Sequence, residues 1–261
     1  MLKFTLFIRS LLFLLVMITV TVIWAPICFL FAPLPYNQRY YATARWNVFM
    51  IWAAKVICGI RYQTKGFENF PDGPVIVLSK HQSAWETIFL LIATPRPLVF
   101  VFKKSITYIP FFGWAIALMR MIPIDRSKGK DAFAQVVVQG RNRLADGQWV
   151  IMFPEGTRIP VGQKGNYKGG GTRLAIETNT PVIPIALNSG ECWPKNSFIK
   201  KPGLITVSVG KPIYPEGLTA TELMQKVENW IEAEMRVISP QVYRQGDQKN
   251  DQQNNQQNNL F

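Results

Sequence analysis

The chain contains one histidine, His81, and a carboxylate, Glu86, follows it five positions later. An imidazole and a carboxylate can act as a base and its orienter. The carboxylate holds one ring nitrogen, fixes the tautomer and stabilises the imidazolium, and the other nitrogen accepts a proton from a hydroxyl. On one regular helix five residues turn the chain by about 140°, so the two side chains would not share a face. Pairing requires His81 in a turn and Glu86 in the first turn of the helix after it. The run Val75-Ile-Val-Leu-Ser-Lys-His81-Gln-Ser-Ala-Trp-Glu86 has that form: a strand-like run, the histidine, then a helical stretch. A structural account fits the same residues. Ser83-x-x-Glu86 matches a capping box, in which Glu86 only bonds backbone at the helix start, and a lone histidine is commonly an ordinary surface or core residue. On position alone the two accounts weigh the same. They are compatible, because a carboxylate at a helix start also gains from the helix dipole.

Three further runs end in residues that could hold a substrate. In Trp149-Val-Ile-Met-Phe153-Pro-Glu-Gly-Thr-Arg158 a strand runs into a loop. Gly156 permits close backbone approach, Thr157 offers a hydroxyl and Arg158 a planar fork for phosphate. The plain alternative is a surface turn with an internal pair between Glu155 and Arg158. In Met121-Ile-Pro-Ile-Asp125-Arg126 a strand again ends in a basic residue, a second candidate phosphate contact, although Asp–Arg turns are commonplace. Pro181-Val-Ile-Pro184-Ile-Ala is an apolar strand with a proline inside it, which suggests an edge strand or a site; core packing is the commoner reason for such a run. Residues 165–172 are glycine-rich but lack G-x4-G-K-[ST], and no G-x-S-x-G elbow is present, which removes a P-loop nucleotidase and a serine hydrolase. Cys28, Cys58 and Cys192 are too few and too widely spaced for a disulfide framework or a zinc site.

The elements that must position these residues follow from hydrophobic patterning. Residues 75–78, 98–102, 121–124, 149–153, 182–187 and 205–209 read as strands. Residues 84–92, 131–145, 171–178 and 221–238 read as helices. Such alternation predicts an α/β fold with a mostly parallel sheet flanked by helices, and ligands then bind beyond the carboxyl ends of the strands.

Ahead of this domain, residues 10–32 form 23 residues without a charge, about 34 Å as a helix and enough to cross a hydrocarbon core. The run is too long for a typical signal-peptide core, and no clear A-x-A site follows it. A second apolar stretch, residues 46–60, is interrupted by Asn47 and Lys55 and is short for a span, so it predicts an interfacial or re-entrant helix. The two segments either form a hairpin dipping into one leaflet or the first spans alone. Basic residues flank both ends of the first helix and do not decide topology. The formal net charge of +13 favours anionic partners. Membrane phospholipid fits it better than nucleic acid, for which the chain has no recognition motif. Three segments result: membrane helices over residues 1–62, an α/β domain over 63–243, and a Gln/Asn-rich tail over 244–261 that is expected to be disordered.

Together the four runs resemble, in order and spacing, the glycerophospholipid acyltransferase family, most closely its bacterial 1-acyl-sn-glycerol-3-phosphate (lysophosphatidate) acyltransferases. The family pattern N-H-x4-D reads here Lys80-His81-Gln-Ser-Ala-Trp-Glu86, with Lys for Asn and Glu for Asp. The pattern F-P-E-G-T-R is intact from Phe153 to Arg158, with Ile159 in place of the usual serine after it. Lys103-Lys104-Ser-Ile-Thr-Tyr-Ile-Pro110-Phe-Phe-Gly113-Trp is similar to the family's basic stretch. The resemblance covers roughly residues 66–211 and the N-terminal helices. It implies His81 as general base and Glu86 as its orienter. It implies that Glu155, Gly156, Thr157 and Arg158 contact the acyl acceptor, that Arg126 and Lys103 bind its phosphate, and that Pro184 lies on the acyl-donor side. No metal or cofactor is implied. The implied reaction takes an acyl group from acyl-CoA or acyl-carrier protein to lysophosphatidate and yields phosphatidic acid, at the cytoplasmic face of the cell inner membrane. A thioesterase, with water as acceptor, and a non-catalytic membrane-binding module are the rival readings.

Overall fold

The computed structural model describes residues 2–125, 127 and 129–243. Arg126 and the tail at residues 244–261 lie outside the described residues. In chain order the elements are α1 (Leu2–Cys28), α2 (Tyr36–Thr43), α3 (Arg45–Ala53), β1 (Ile60–Lys65), β2 (Ile76–Ser79), α4 (Trp85–Ala93), β3 (Leu98–Lys103), α5 (Phe112–Leu118), β4 (Ile122–Ile124), α6 (Gly129–Ala145), β5 (Trp149–Met152), α7 (Gly170–Thr178), β6 (Val182–Leu187), α8 (Ser189–Cys192), β7 (Gly203–Val209) and α9 (Ala220–Ile238).

The strands form one seven-stranded sheet in the order β1-β7-β6-β2-β5-β3-β4. Every pairing is parallel except β6 with β7, so the sheet is mostly parallel, as the patterning predicts. The central strands β2, β5 and β6 are buried at every position. That burial is why they read as unbroken apolar runs rather than alternating ones. The step from β2 through α4 to β3 runs one way along the sheet. The steps β4–α6–β5 and β5–α7–β6 run the other way. Right-handed crossovers therefore place α4 on one face and α6 and α7 on the other. α9 joins the second face, burying Leu223, Val227, Ile231 and Met235 at a spacing of four, with Glu232 buried beside them. At the start of α9, Thr219 and Glu222 make a complete capping box.

Two sequence expectations change. The sheet begins at Ile60, before position 63, because β1 is a strand the patterning does not mark. β1 is an edge strand of which only Ile60 is buried, so its residues are mostly polar. The proline in residues 182–187 suggests an edge strand, but β6 is interior, paired with β2 on one side and β7 on the other. Pro184 costs the ladder one bond there: its carbonyl still accepts from Gly210 N at 2.9 Å just past the end of β7, and only the N–H that would pair beside it is missing.

α1 is long and apolar enough to cross a membrane, yet contacts along its length join it to the second apolar segment and to the domain. Arg9 Nε donates to the Ile57 carbonyl, and the Ser10 hydroxyl accepts from Lys200 N at 2.9 Å. Phe13 packs edge-on against Trp193 with ring centroids 5.3 Å apart. Further along, Trp46 Nε1 donates to the Thr21 hydroxyl, and Trp24 Nε1 to the Thr43 carbonyl. The second apolar segment is α3 followed by a π-helical turn, Ala54–Cys58, which stops at Gly59 with φ of 72°. Leu12, Leu15, Ile18, Val22 and Ile23 of α1 and Val48, Trp52 and Val56 of the second segment are left exposed.

Candidate active site

His81 follows the carboxyl end of β2, where the neighbouring strands β5 and β6 also end. Its Nδ1 lies 2.9 Å from Glu86 Oε1. The carboxylate accepts, so Nδ1 carries the hydrogen and Nε2 the lone pair. The five-residue spacing works as the turn-then-helix reading requires: α4 begins at Trp85 and Glu86 lies in its first turn. The capping role is present as well. Glu86 Oε1 also accepts from the backbone N–H groups of Gln82 and Ser83, at 2.8 and 2.7 Å, and the Ser83 hydroxyl accepts from Trp85 N at 3.0 Å. One carboxylate thus fixes both the helix start and the imidazole, and Glu86 is fully buried. The imidazole ring stacks on Phe153 at 3.8 Å between centroids and 13° between planes, which sets the ring's orientation from its other side.

Beside His81 lies a cavity of about 880 Å³, toward the upper end of the usual range for ligand sites of about 300–1,000 Å³. Its lining is mostly apolar and includes Met17 and Trp24 of α1, Trp46 of α3, Ile88 of α4 and Phe100 of β3. The same lining includes His81, Lys103, Gly156, Arg158 and Lys168. Among the described residues these three cations form no ion pair, so their charge is available to an anionic ligand. Gly156 has φ of 66°, and a Cβ there would approach Lys168 Nζ to 3.2 Å; glycine lets the lysine lie across the loop. Lys168 is a site residue that the sequence reading does not mark. It sits within the glycine-rich run. Gly171 of the same run serves packing, since a Cβ there would come within 2.4 Å of Leu78, and α7 thus lies tightly on β2.

Three of the expected substrate contacts do not reach the cavity. Glu155 is buried and both its oxygens are engaged. Oε2 accepts from His81 N at 2.9 Å and Oε1 is 2.7 Å from Lys80 Nζ. Thr157 is exposed on the outside of the loop, its hydroxyl 3.5 Å from Lys195 Nζ. Pro184 is buried within the sheet, where its ring fills the space over Gly210. Arg126 falls outside the described residues.

Lys80, the residue that replaces asparagine in the family pattern, explains what Glu155 does. Its ammonium is fully buried between Glu155 Oε1 and Glu232 Oε1, at 2.7 and 2.8 Å, and Tyr167 donates to the same Glu232 oxygen at 2.7 Å. Burial pushes the Glu155 carboxyl above its ordinary range, against the pull of the Lys80 charge and of the bond from His81 N. Burial and the neighbouring Glu155 and Glu232 charges push the Tyr167 hydroxyl up, so it stays a donor. Glu155 is therefore an internal support for the His81 backbone. Among the described residues no group of three His, Cys, Asp or Glu side chains is placed to hold a metal ion.

Residues 61–188 match the family model described as Acyltransferase, which defines the class: an acyl-transferring enzyme built on this sheet. Over 238 residues, 89% of this chain and 92% of the relative, the sequence is 46% identical to a 1-acyl-sn-glycerol-3-phosphate acyltransferase of Pseudomonas aeruginosa. A chloroplastic enzyme of the same description from Brassica napus is 34% identical over 72% of this chain and 55% of its own length. The chain belongs to the 1-acyl-sn-glycerol-3-phosphate acyltransferase family. Its fold is shared with the crystal structure of the 1-acyl-sn-glycerophosphate acyltransferase of Thermotoga maritima, with a TM-score of 0.76, 21% identity, and coverage of 90% of this chain and 97% of that one.

Proposed function

We propose that the enzyme transfers the acyl group of acyl-CoA or acyl-carrier protein to the sn-2 hydroxyl of 1-acyl-sn-glycerol-3-phosphate, forming phosphatidic acid, with His81 as general base. The observation that carries this reading is the Glu86-held imidazole on a mostly apolar cavity whose lining also includes Lys103, Arg158 and Lys168. The substrate hydroxyl gives its proton to Nε2 as its oxygen attacks the thioester carbonyl carbon. The tetrahedral intermediate collapses with cleavage of the C–S bond, and protonated His81 returns the proton to the departing thiolate. The acceptor is itself the nucleophile, so no acyl-enzyme forms. Lys103, Arg158 and Lys168 hold the acceptor's phosphate. The start of α7, where Gly170 and Gly171 line the cavity, adds the positive end of a helix dipole. The apolar wall accommodates hydrocarbon chain. The thioesterase reading, with water as the acceptor, predicts thiol release without lysophosphatidate.

The same reading assigns the N-terminal segment to one leaflet of the cell inner membrane, with the active site facing the cytoplasm, where acyl thioesters are made. The contacts of α1 with the rest of the protein run from Arg9 to Trp24, about 22 Å of helix. A helix crossing the bilayer alone would have to leave that surface. A helix lying in one leaflet keeps its contacts and buries its exposed Leu12, Leu15, Ile18 and Ile23 in lipid.

An acceptor panel tests the proposal. Lysophosphatidate should be acylated far faster than lysophosphatidylcholine, whose phosphate is capped by choline, or glycerol 3-phosphate, which lacks the acyl chain. Equal rates with all three would overturn the acceptor assignment. Arg158→Ala should raise KM for lysophosphatidate by about 10- to 100-fold, the loss of one charge-assisted contact, and alter KM for the thioester little. An unchanged lysophosphatidate KM would remove Arg158 from the phosphate site.

A further inference from the structure

Only one oxygen of the Glu86 carboxylate faces His81. Oε1 takes three donors: His81 Nδ1, Gln82 N and Ser83 N. Oε2 lies 2.6 Å from the hydroxyl of Ser189, its one hydrogen-bond partner among the described residues. Glu86 and Ser189 are both fully buried, so water is not at hand to replace that hydroxyl. Ser189 opens α8 just beyond the carboxyl end of β6. Its backbone is clamped on several sides. Asn188 Oδ1 accepts from Thr206 N at 2.7 Å, Gly190 N donates to Gln82 Oε1 at 3.3 Å, and Trp193 N donates to the Ser189 carbonyl at 2.9 Å. Position 190 has no room for a side chain, since a Cβ would approach Val161 to 2.7 Å and Gln82 Cβ to 3.0 Å.

We propose that Ser189 is a positioning residue for the proton transfer, acting through Glu86; the proposal rests on the His81–Glu86 reading. Glutamate has one more rotatable bond than the aspartate of the family pattern, so its carboxylate has more ways to turn. The hydroxyl on Oε2 fixes that rotation and thereby the line along which Oε1 holds Nδ1. The contribution of β6 to the site thus comes from the residues after the strand, at Ser189, rather than from Pro184 within it.

The test is a double-mutant cycle read in kcat. Ser189→Ala is expected to lower kcat by about 10- to 100-fold, as befits a lost hydrogen bond to a charged group, with KM for lysophosphatidate and thioester changed less than about twofold. In a Glu86→Gln background the same change should lower kcat less than about threefold, because the group through which Ser189 acts is already altered. Ser189→Thr, which keeps a hydroxyl, should recover most of the rate. Should the alanine protein fail to fold, Ser189→Cys, similar in size with a weaker donor, takes its place in the cycle. Equal losses in both backgrounds would mean a merely structural role and overturn the proposal. Wild-type kcat in Ser189→Ala with Glu86→Gln impaired would overturn this proposal alone. Wild-type kcat in Glu86→Gln would overturn the His81–Glu86 reading beneath it.

Discussion

His81→Ala should lower kcat by about 1,000- to 10,000-fold, the upper part of the range for a positioned general base. The chain has no second histidine to take over. The geometry around the ring fits the proposed proton transfer. Nδ1 is bound to a buried carboxylate, one face lies on Phe153, and the ring lines the cavity that also holds Arg158. None of these contacts involves the exposed apolar residues of α1 and α3, which would face lipid in the proposed membrane arrangement. The variant should therefore float with phospholipid vesicles as the unaltered protein does and keep its thermal midpoint within a few degrees. Turnover and vesicle flotation measured on one preparation separate the two properties. A variant within tenfold of normal turnover would remove His81 as the base. One that is inactive and no longer binds vesicles would show damage to the fold instead.

Lys80→Ala should destabilise the protein by about 3–5 kcal/mol, the usual result of removing one partner from a buried ionic group. That corresponds to a fall of about 10 °C in thermal midpoint for a domain of this size. Lys80 Nζ lies between Glu155 and Glu232, and all three side chains are buried or nearly so. Without the ammonium, two carboxylates face each other in an apolar interior. Lys80→Asn, which restores the family pattern, should fail in the same way, because asparagine is too short to reach both carboxylates. Combining Lys80→Met with Glu232→Gln should recover part of the loss by removing a stranded charge with its partner. Thermal unfolding followed by circular dichroism reads all of these. A midpoint for Lys80→Ala within about 2 °C of normal would contradict the account of this network. Activity should fall with stability, because Glu155, once released, no longer holds the His81 N–H in place.

The parts of the fold that the sequence discloses are those where one physical demand dominates. β2, β5 and β6 are buried on both faces, so nearly every residue is apolar and the strands stand out. His81 and Glu86 are close in sequence, and a turn followed by a helix start is enough to bring them together. Relationships made by the tertiary fold are not visible in this way. Glu155 reads as a substrate contact because its partners lie far off in the chain, Lys80 by 75 positions and His81 by 74, and no local pattern links them. Ser189 is an ordinary residue after a strand until β6 is laid beside β2. Lys168 is hidden in a glycine-rich run that fails as a nucleotide loop, and its approach to Gly156 depends on how α7 packs. β1 escapes the patterning because an edge strand with one buried residue carries almost no hydrophobic signal.

If His81 passes the acceptor's proton directly, acyl transfer needs the acceptor hydroxyl and no acyl-enzyme. Thiol release and ester formation should be followed together on the purified protein in vesicles, with an acyl thioester donor, in the presence and absence of lysophosphatidate. One thiol should be released for each phosphatidate formed, almost none without acceptor, and no protein-bound acyl group should accumulate. Rapid thiol release without lysophosphatidate, as free fatty acid or as an acylated protein, would contradict that direct transfer.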